Sequence, residues 1–171
     1  MTSEPPQHEP SQHEPRQHER SLAEPAFPGD DGSVDPALAP ALGDPAGVLA
    51  VLGEARVFVP IVAVLGERAT DGSDKSADMA AVLMTGADGR QALLAFTSVA
   101  ALEAWNPQAR PVPVHGQAAA QSALAESASA IVLDLGQPHW QVVETDDLGH
   151  LAAGDTLART SSGTAWVRAG S

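Results

Sequence analysis

Cysteine is absent from the 171-residue chain, and lysine occurs once. Without cysteine there is no disulfide framework, thiolate zinc site, iron–sulfur cluster or cysteine nucleophile. Positive charge is scarce: nine Lys and Arg stand against 22 Asp and Glu, a net of −13. That sign opposes a phosphate backbone and an anionic membrane surface, so neither nucleic acid nor membrane is an expected partner. Long apolar runs are missing too. The richest stretch, residues 46–65, is broken by Glu54 and Arg56 and does not read as a membrane span. The first residues lack a basic-then-apolar leader pattern, and the expected location is the cytoplasm. Nor does the chain contain G-x-G-x-x-G, a P-loop, H-E-x-x-H or G-x-S-x-G, so no cofactor is expected.

What is present is unevenly spread. Nine of the 14 prolines precede residue 46, and residues 1–45 hold nine acids and two bases. Such a stretch, with Leu22, Phe27, Val34, Leu38 and Leu42 as its sizeable apolar side chains, cannot offset its ordering entropy. Residues 1–43 are therefore expected to be a disordered acidic arm. Within it runs a five-residue repeat, Gln7-His8-Glu9-Pro10, Gln12-His13-Glu14-Pro15 and Gln17-His18-Glu19-Arg20. Imidazole beside carboxylate is a plausible ligand set for a transition metal, and three histidines could also make the arm respond to pH. Five-residue spacing fits neither a helix face nor a strand face, however, and the prolines interrupt any helix. A low-complexity tail outweighs both readings, and no metal site is expected.

The remainder punctuates itself into helices and strands. Asp44-Pro45 reads as a capped helix start, with Val48, Leu49 and Leu52 as its apolar face and Gly53 as its stop. Residues 55–65 read as a strand apolar on both faces, Val57, Val59 and Ile61 on one and Phe58, Val62 and Val64 on the other. Pro60 places that point at an edge or a bulge. A polar loop over 66–77 leads to strands at 78–85 and 90–96, joined by the Asp88-Gly89 turn, which completes an antiparallel meander. Ser98 caps a helix carrying Val99, Leu102 and Trp105, ended by Asn106-Pro107. The proline-flanked segment Pro111 to Val114 crosses to an alanine-rich helix over 116–128. A hairpin joins Ile131–Leu135 to Trp140–Glu144, and Asp146 caps a last helix stopped by Gly154. The expected fold is α+β: a β-meander and a β-hairpin packed with three to four short helices. The core spans 44–154, and 155–171 is a frayed end. Trp105 and Trp140 are expected to close the core, and Trp166 either frays or anchors on this domain or on a partner.

One string is distinctive: Asp74-Lys75-Ser76-Ala77-Asp78-Met79-Ala80, then Thr85-Gly86-Ala87-Asp88-Gly89-Arg90-Gln91-Ala92-Leu93 and Phe96-Thr97-Ser98. In this order it resembles the SseB N-terminal domain family, as found in small actinobacterial proteins. The resemblance runs from Leu49 to Leu151, taking in Val59-Pro60, Trp105 and Arg110 to Pro113. Leu94-Ala95 departs from it, standing where relatives often have Pro-Val. It implies an α+β domain and carries over no reaction and no catalytic residue.

Chemistry at that string has to be weighed against plain structure. Lys75 is the only lysine, and Asp74, Ser76 and Asp78 flank it. A nucleophilic lysine needs its pKa lowered, whereas neighbouring carboxylates stabilise the ammonium. Ser76 has no histidine placed as its base. Side chains that fix the backbone of a loop entering a strand explain the cluster better. His115, His139 and His150 are scattered over a turn, a hairpin tip and a helix face, and read as packing residues. The preferred function is a non-enzymatic protein-interaction module with an unidentified protein partner and an open oligomeric state. The alternative is a small-ligand binder or enzyme using Asp74, Lys75, Ser76 and Asp78 near Arg90.

Overall fold

The computed structural model describes residues 26–64 and 78–170. The three Gln-His-Glu repeats and the loop residues Asp74, Lys75 and Ser76 lie outside them. Pro45 opens the first helix, α1 (Pro45–Leu52), because its fixed φ and missing N–H suit a first helical position. Asp44 sits at the cap position but makes no side-chain capping bond; its carboxylate takes Arg159 instead. The end of α1 is held by a close approach. Gly116 donates its N–H to Ala55 and Gln117 donates to Gly53, and a β-carbon at 116 would lie 2.0 Å from the Leu52 carbonyl oxygen. Only glycine fits where the two chain segments meet so tightly.

Strand β1 (Arg56–Val64) is apolar on both sides because two cores flank it. Val57 and Val59 join one cluster and Phe58 the other. It is the central strand of a three-stranded sheet, between β2 (Asp78–Ala81) and β5 (Arg110–His115), both antiparallel to it. Pro60 is therefore neither at an edge nor at a bulge, which corrects the reading from sequence. Its missing donor falls where the partner of β1 changes: Phe58 exchanges two backbone bonds with Phe96, and pairing to β2 begins at Ile61. The proline carbonyl still accepts the Val82 N–H at 3.1 Å.

Val82 is the pivot of the fold. The expected single strand over 78–85 splits there, β2 staying with β1 while β3 (Leu83–Thr85) pairs with β4 (Gln91–Ala95) in a second sheet. Val82 donates to Pro60 and accepts from Leu94, so one residue stitches the two sheets. The segment 110–115, read from sequence as a proline-bearing crossing, is β5, an edge strand. Its prolines at 111 and 113 place both missing donors on one side of the strand, which an edge tolerates.

The second sheet has the order β3-β4-β6-β7, with β6 (Ala130–Leu133) parallel to β4 and β7 (Gln141–Glu144) antiparallel to β6. One face carries Leu93, Ile131 and Val143 and packs against α1, α3 (Gly116–Ala125) and α4 (Thr145–Ala153). The other carries Leu94, Phe96 and Val132 under Ala101 and Leu102 of α2 (Val99–Trp105). Ser98 caps α2 as expected, its hydroxyl accepting the Ala101 N–H. Asp146 does not cap α4; it stands in the first turn beside Asp147, where carboxylates meet the positive end of the helix dipole.

Packing extends past both ends of the expected 44–154 core. Leu38 has no exposed surface, and Asp35 accepts the Arg56 N–H at 2.9 Å, so residues 26–43 are laid onto the domain. At the other end β8 (Thr156–Thr160) and β9 (Gly163–Val167) form a hairpin where fraying was expected. Trp166 anchors it on this domain, stacking on His150 at 4.9 Å and donating Nε1–H to Asp147.

Candidate functional site

Of the residues singled out from sequence, Asp78 opens β2 opposite Val64, and Arg90 lies beyond the other end of the 78–85 segment, just before β4. Arg90 is committed locally. Its Nε donates to Asp88 at 2.6 Å and its Nη1 to Glu144 at 3.0 Å, all three side chains being about half exposed. Those bonds hold the Asp88 carboxyl below the usual carboxylate range, and Asp88, then Glu144, raise the Arg90 guanidinium above its ordinary value. The structure thus joins Arg90 to Asp88 and Glu144.

A different set of polar residues converges at the carboxyl ends of the parallel strands β4 and β6. Asp134 follows β6, fully buried and with φ 55°. Its carboxylate accepts the Thr97 N–H at 2.7 Å, the Thr97 hydroxyl at 2.8 Å and His139 Nε2 at 2.9 Å. Thr97 continues the chain, because its carbonyl accepts Arg56 Nη1 at 3.0 Å. Arg56, also buried, pairs through Nε with Asp30 at 3.0 Å, bonds the Ser33 carbonyl and lies 4.2 Å over the Phe58 ring. Arg56, Thr97 and Asp134 are therefore buried charged or polar groups, and no buried side-chain nitrogen or oxygen among the described residues lacks a partner, the condition under which burial is tolerated.

The Asp134 network brings a hydroxyl, a carboxylate and an imidazole together, but they are bonded to one another within the fold. The Thr97 hydroxyl donates to the carboxylate and has no path to solvent, so it is not a nucleophile aimed at substrate. What the network does is mechanical. Asp134, reinforced by His139, fixes the start and the tip of the segment that turns through Gly136 and returns as β7. A carboxylate inside the apolar run Ile131–Leu135 is the sequence signal that could have pointed to it.

That turn delivers Trp140 to the surface. Trp140 does not close the core: 53% of it is exposed, and Val142 two residues on is 39% exposed. Trp140 immediately precedes β7 and, like Val142, projects to one face of the sheet, while the next residue, Val143, projects to the other and is completely buried. Two positions inward on that face, Val132 and Leu94 are buried. β7 ends the sheet, so its outer backbone side has no strand partner among the described residues. Trp105, by contrast, packs on Phe96 with ring centroids 5.5 Å apart, as the sequence suggested.

The remaining histidines are engaged locally. His115 Nδ1 bonds the Glu54 carbonyl, and His150 Nδ1 bonds Asp155 at 2.8 Å, holding that carboxyl below its usual range. Among the described residues no group of three or more His, Asp or Glu could hold a metal ion, and no helix is long and apolar enough to cross a membrane.

Compared with known proteins, the chain matches the family described as SseB protein N-terminal domain over residues 34–150, more than half of its length. That span begins before Leu38 and ends within α4, so it contains both sheets and Arg56, Thr97, Asp134 and His139, while Asp30 and Ser33 precede it. No curated protein and no solved structure matches.

Proposed function

We propose that this chain, which belongs to the SseB protein N-terminal domain family, is a non-enzymatic protein-interaction module working in the cytoplasm. The observation that carries this reading is the exposure of Trp140 and Val142, one just before and one within the terminal strand of a sheet. A large aromatic side chain half in water beside an exposed valine is costly to keep and is typical of contact surfaces. An edge strand adds unpaired backbone donors and acceptors, which a partner strand can complete. The neighbouring polar chain supports the same reading, since it stiffens the turn that presents Trp140 and spends its bonds within the fold.

The alternative is a small-ligand binder or enzyme using Asp74, Lys75, Ser76 and Asp78 near Arg90; Asp74, Lys75 and Ser76 lie outside the described residues, and the Arg90 guanidinium is taken by Asp88 and Glu144. Affinity capture from cells expressing the chain, comparing wild type with Val142→Lys, tests the interaction reading. A partner retained by the wild type and lost by a variant of unchanged melting temperature is the expected result. The same partners at the same yield from both proteins would refute the role of this edge.

A further inference from the structure

We infer that the outer side of β7 accepts an extended segment of another protein, apolar and basic in composition, as a fifth strand of the four-stranded sheet. This rests on the interaction reading and names the chemistry of its partner. Charge supplies the argument. Between Pro111 and Ala158 the chain holds six acids, Glu126, Asp134, Glu144, Asp146, Asp147 and Asp155, and no lysine or arginine. Two basic side chains come near this edge from elsewhere: Arg90, shared between Asp88 and Glu144, and Arg168, which lines one cavity with Asp146 and Asp155, and in both groups the acids outnumber the base.

The two faces of β7 ask for different side chains. Trp140 and Val142 offer an apolar step on one face, which runs on to Glu144. The opposite face is the one against which α4 packs, with Asp146 exposed in its first turn. A partner strand that alternates apolar and basic residues satisfies both: apolar groups lie beside Trp140 and Val142, and cations lie toward Asp146. A second copy of the chain is a poor occupant, since pairing β7 with itself would bring two such acidic edges together in molecules of −13 each. β7 spans four residues, about 13 Å of strand, so the backbone contributes a short contact and the charge contributes selectivity.

Three six-residue peptides, alternating valine with lysine, with serine or with glutamate, titrated into the full chain, test this by amide NMR shifts. The lysine peptide is expected to move the amides of residues 140–146 and to bind at least about tenfold tighter than the glutamate peptide. Its affinity should fall as salt rises from about 50 to 300 mM, because the attraction is screened. Val142→Lys should abolish the shifts, and Asp146→Lys, an exposed position outside the core, should weaken them several-fold. Equal binding of the lysine and serine peptides at this edge would overturn the basic partner while leaving the interaction reading intact. No shift at β7 with any peptide up to about 1 mM, the limit of weak association, would overturn both. A dimer by sedimentation that Val142→Lys dissolves would assign the edge to a second copy and overturn the inference.

Discussion

The segment from Asp134 to Glu144 treats polar and apolar groups in opposite ways at its two ends. At the inner end a carboxylate is completely buried and an arginine nearly so, and each makes three bonds to other parts of the fold. At the outer end a tryptophan and a valine stand in water. Both arrangements cost free energy taken alone: a buried charge loses hydration, and an exposed indole forgoes burial. The inner cost is offset within the molecule, by Thr97, His139 and Asp30. The outer one is not offset by any described part of the chain. Such a difference separates a feature that serves the fold from one that serves an encounter.

The comparison breaks if the inner network proves dispensable. Asp134→Ala removes the acceptor of three bonds, strands the Thr97 N–H in the core and leaves a residue of positive φ without its usual polar compensation. A loss of about 3 kcal/mol, on the order of 10 °C in melting temperature, is expected by calorimetry. Arg56→Met comes next. The apolar stem is kept, but the Thr97 and Ser33 carbonyls lose a donor, and about 2 kcal/mol should go. Asp134→Asn should cost less, about 1 kcal/mol, because an amide oxygen still accepts from Thr97 and asparagine tolerates the left-handed backbone. If all three variants melt with the wild type, the network is not structural and the division between the two ends fails.

Much of the inner architecture was legible, and the reasons are local. Pro45, Ser98 and the glycine at 154 mark helix ends by their own conformational preferences, and the structure uses each of them. The hairpin over 131–144 was legible because two β-rich runs flank Gly136 and Pro138. Leu38 was not, since a single buried leucine among prolines has no periodicity; its burial comes from docking on a core built elsewhere. β8 and β9 were hidden by threonine, serine and alanine, whose strand pairing depends on Trp166 finding Asp147 and His150. Trp140 was not legible either: a tryptophan beside a β-rich run suits a core and a contact surface equally, and its exposure comes from the turn before β7. The Asp74–Ser76 string, conspicuous in sequence, lies outside the described residues.

Acid sharpens the comparison further. Asp155 is held below the ordinary carboxylate range by its bond to His150, so the folded state binds its proton less readily than the unfolded chain. A depressed pKa contributes stability above the ordinary value and loses it as pH falls through the folded one. The α4–β9 junction should therefore loosen as pH drops from about 5 toward 3, the window set by a lowered carboxylate. The fluorescence of Trp166, stacked on His150, reports it. Asp155→Asn should flatten that acid limb, whereas an unchanged profile would detach the pair from the hairpin.

The smallest expected effect is the most discriminating one. Trp140→Ser and Val142→Lys alter side chains that already face solvent at the end of a sheet, and each should change stability by no more than about 0.5 kcal/mol. The neighbouring Val143 gives the scale: fully buried on the same four-residue strand, its change to Ala should cost about 2 kcal/mol. Thermal melts of the three variants measure both in one series. If Val143 is stabilising while Val142 beside it and Trp140 just before the strand are not, those two residues are kept for something outside the fold. Were Trp140→Ser to cost as much as Val143→Ala, the tryptophan would be a packing residue after all, and the edge would lose its claim on a partner.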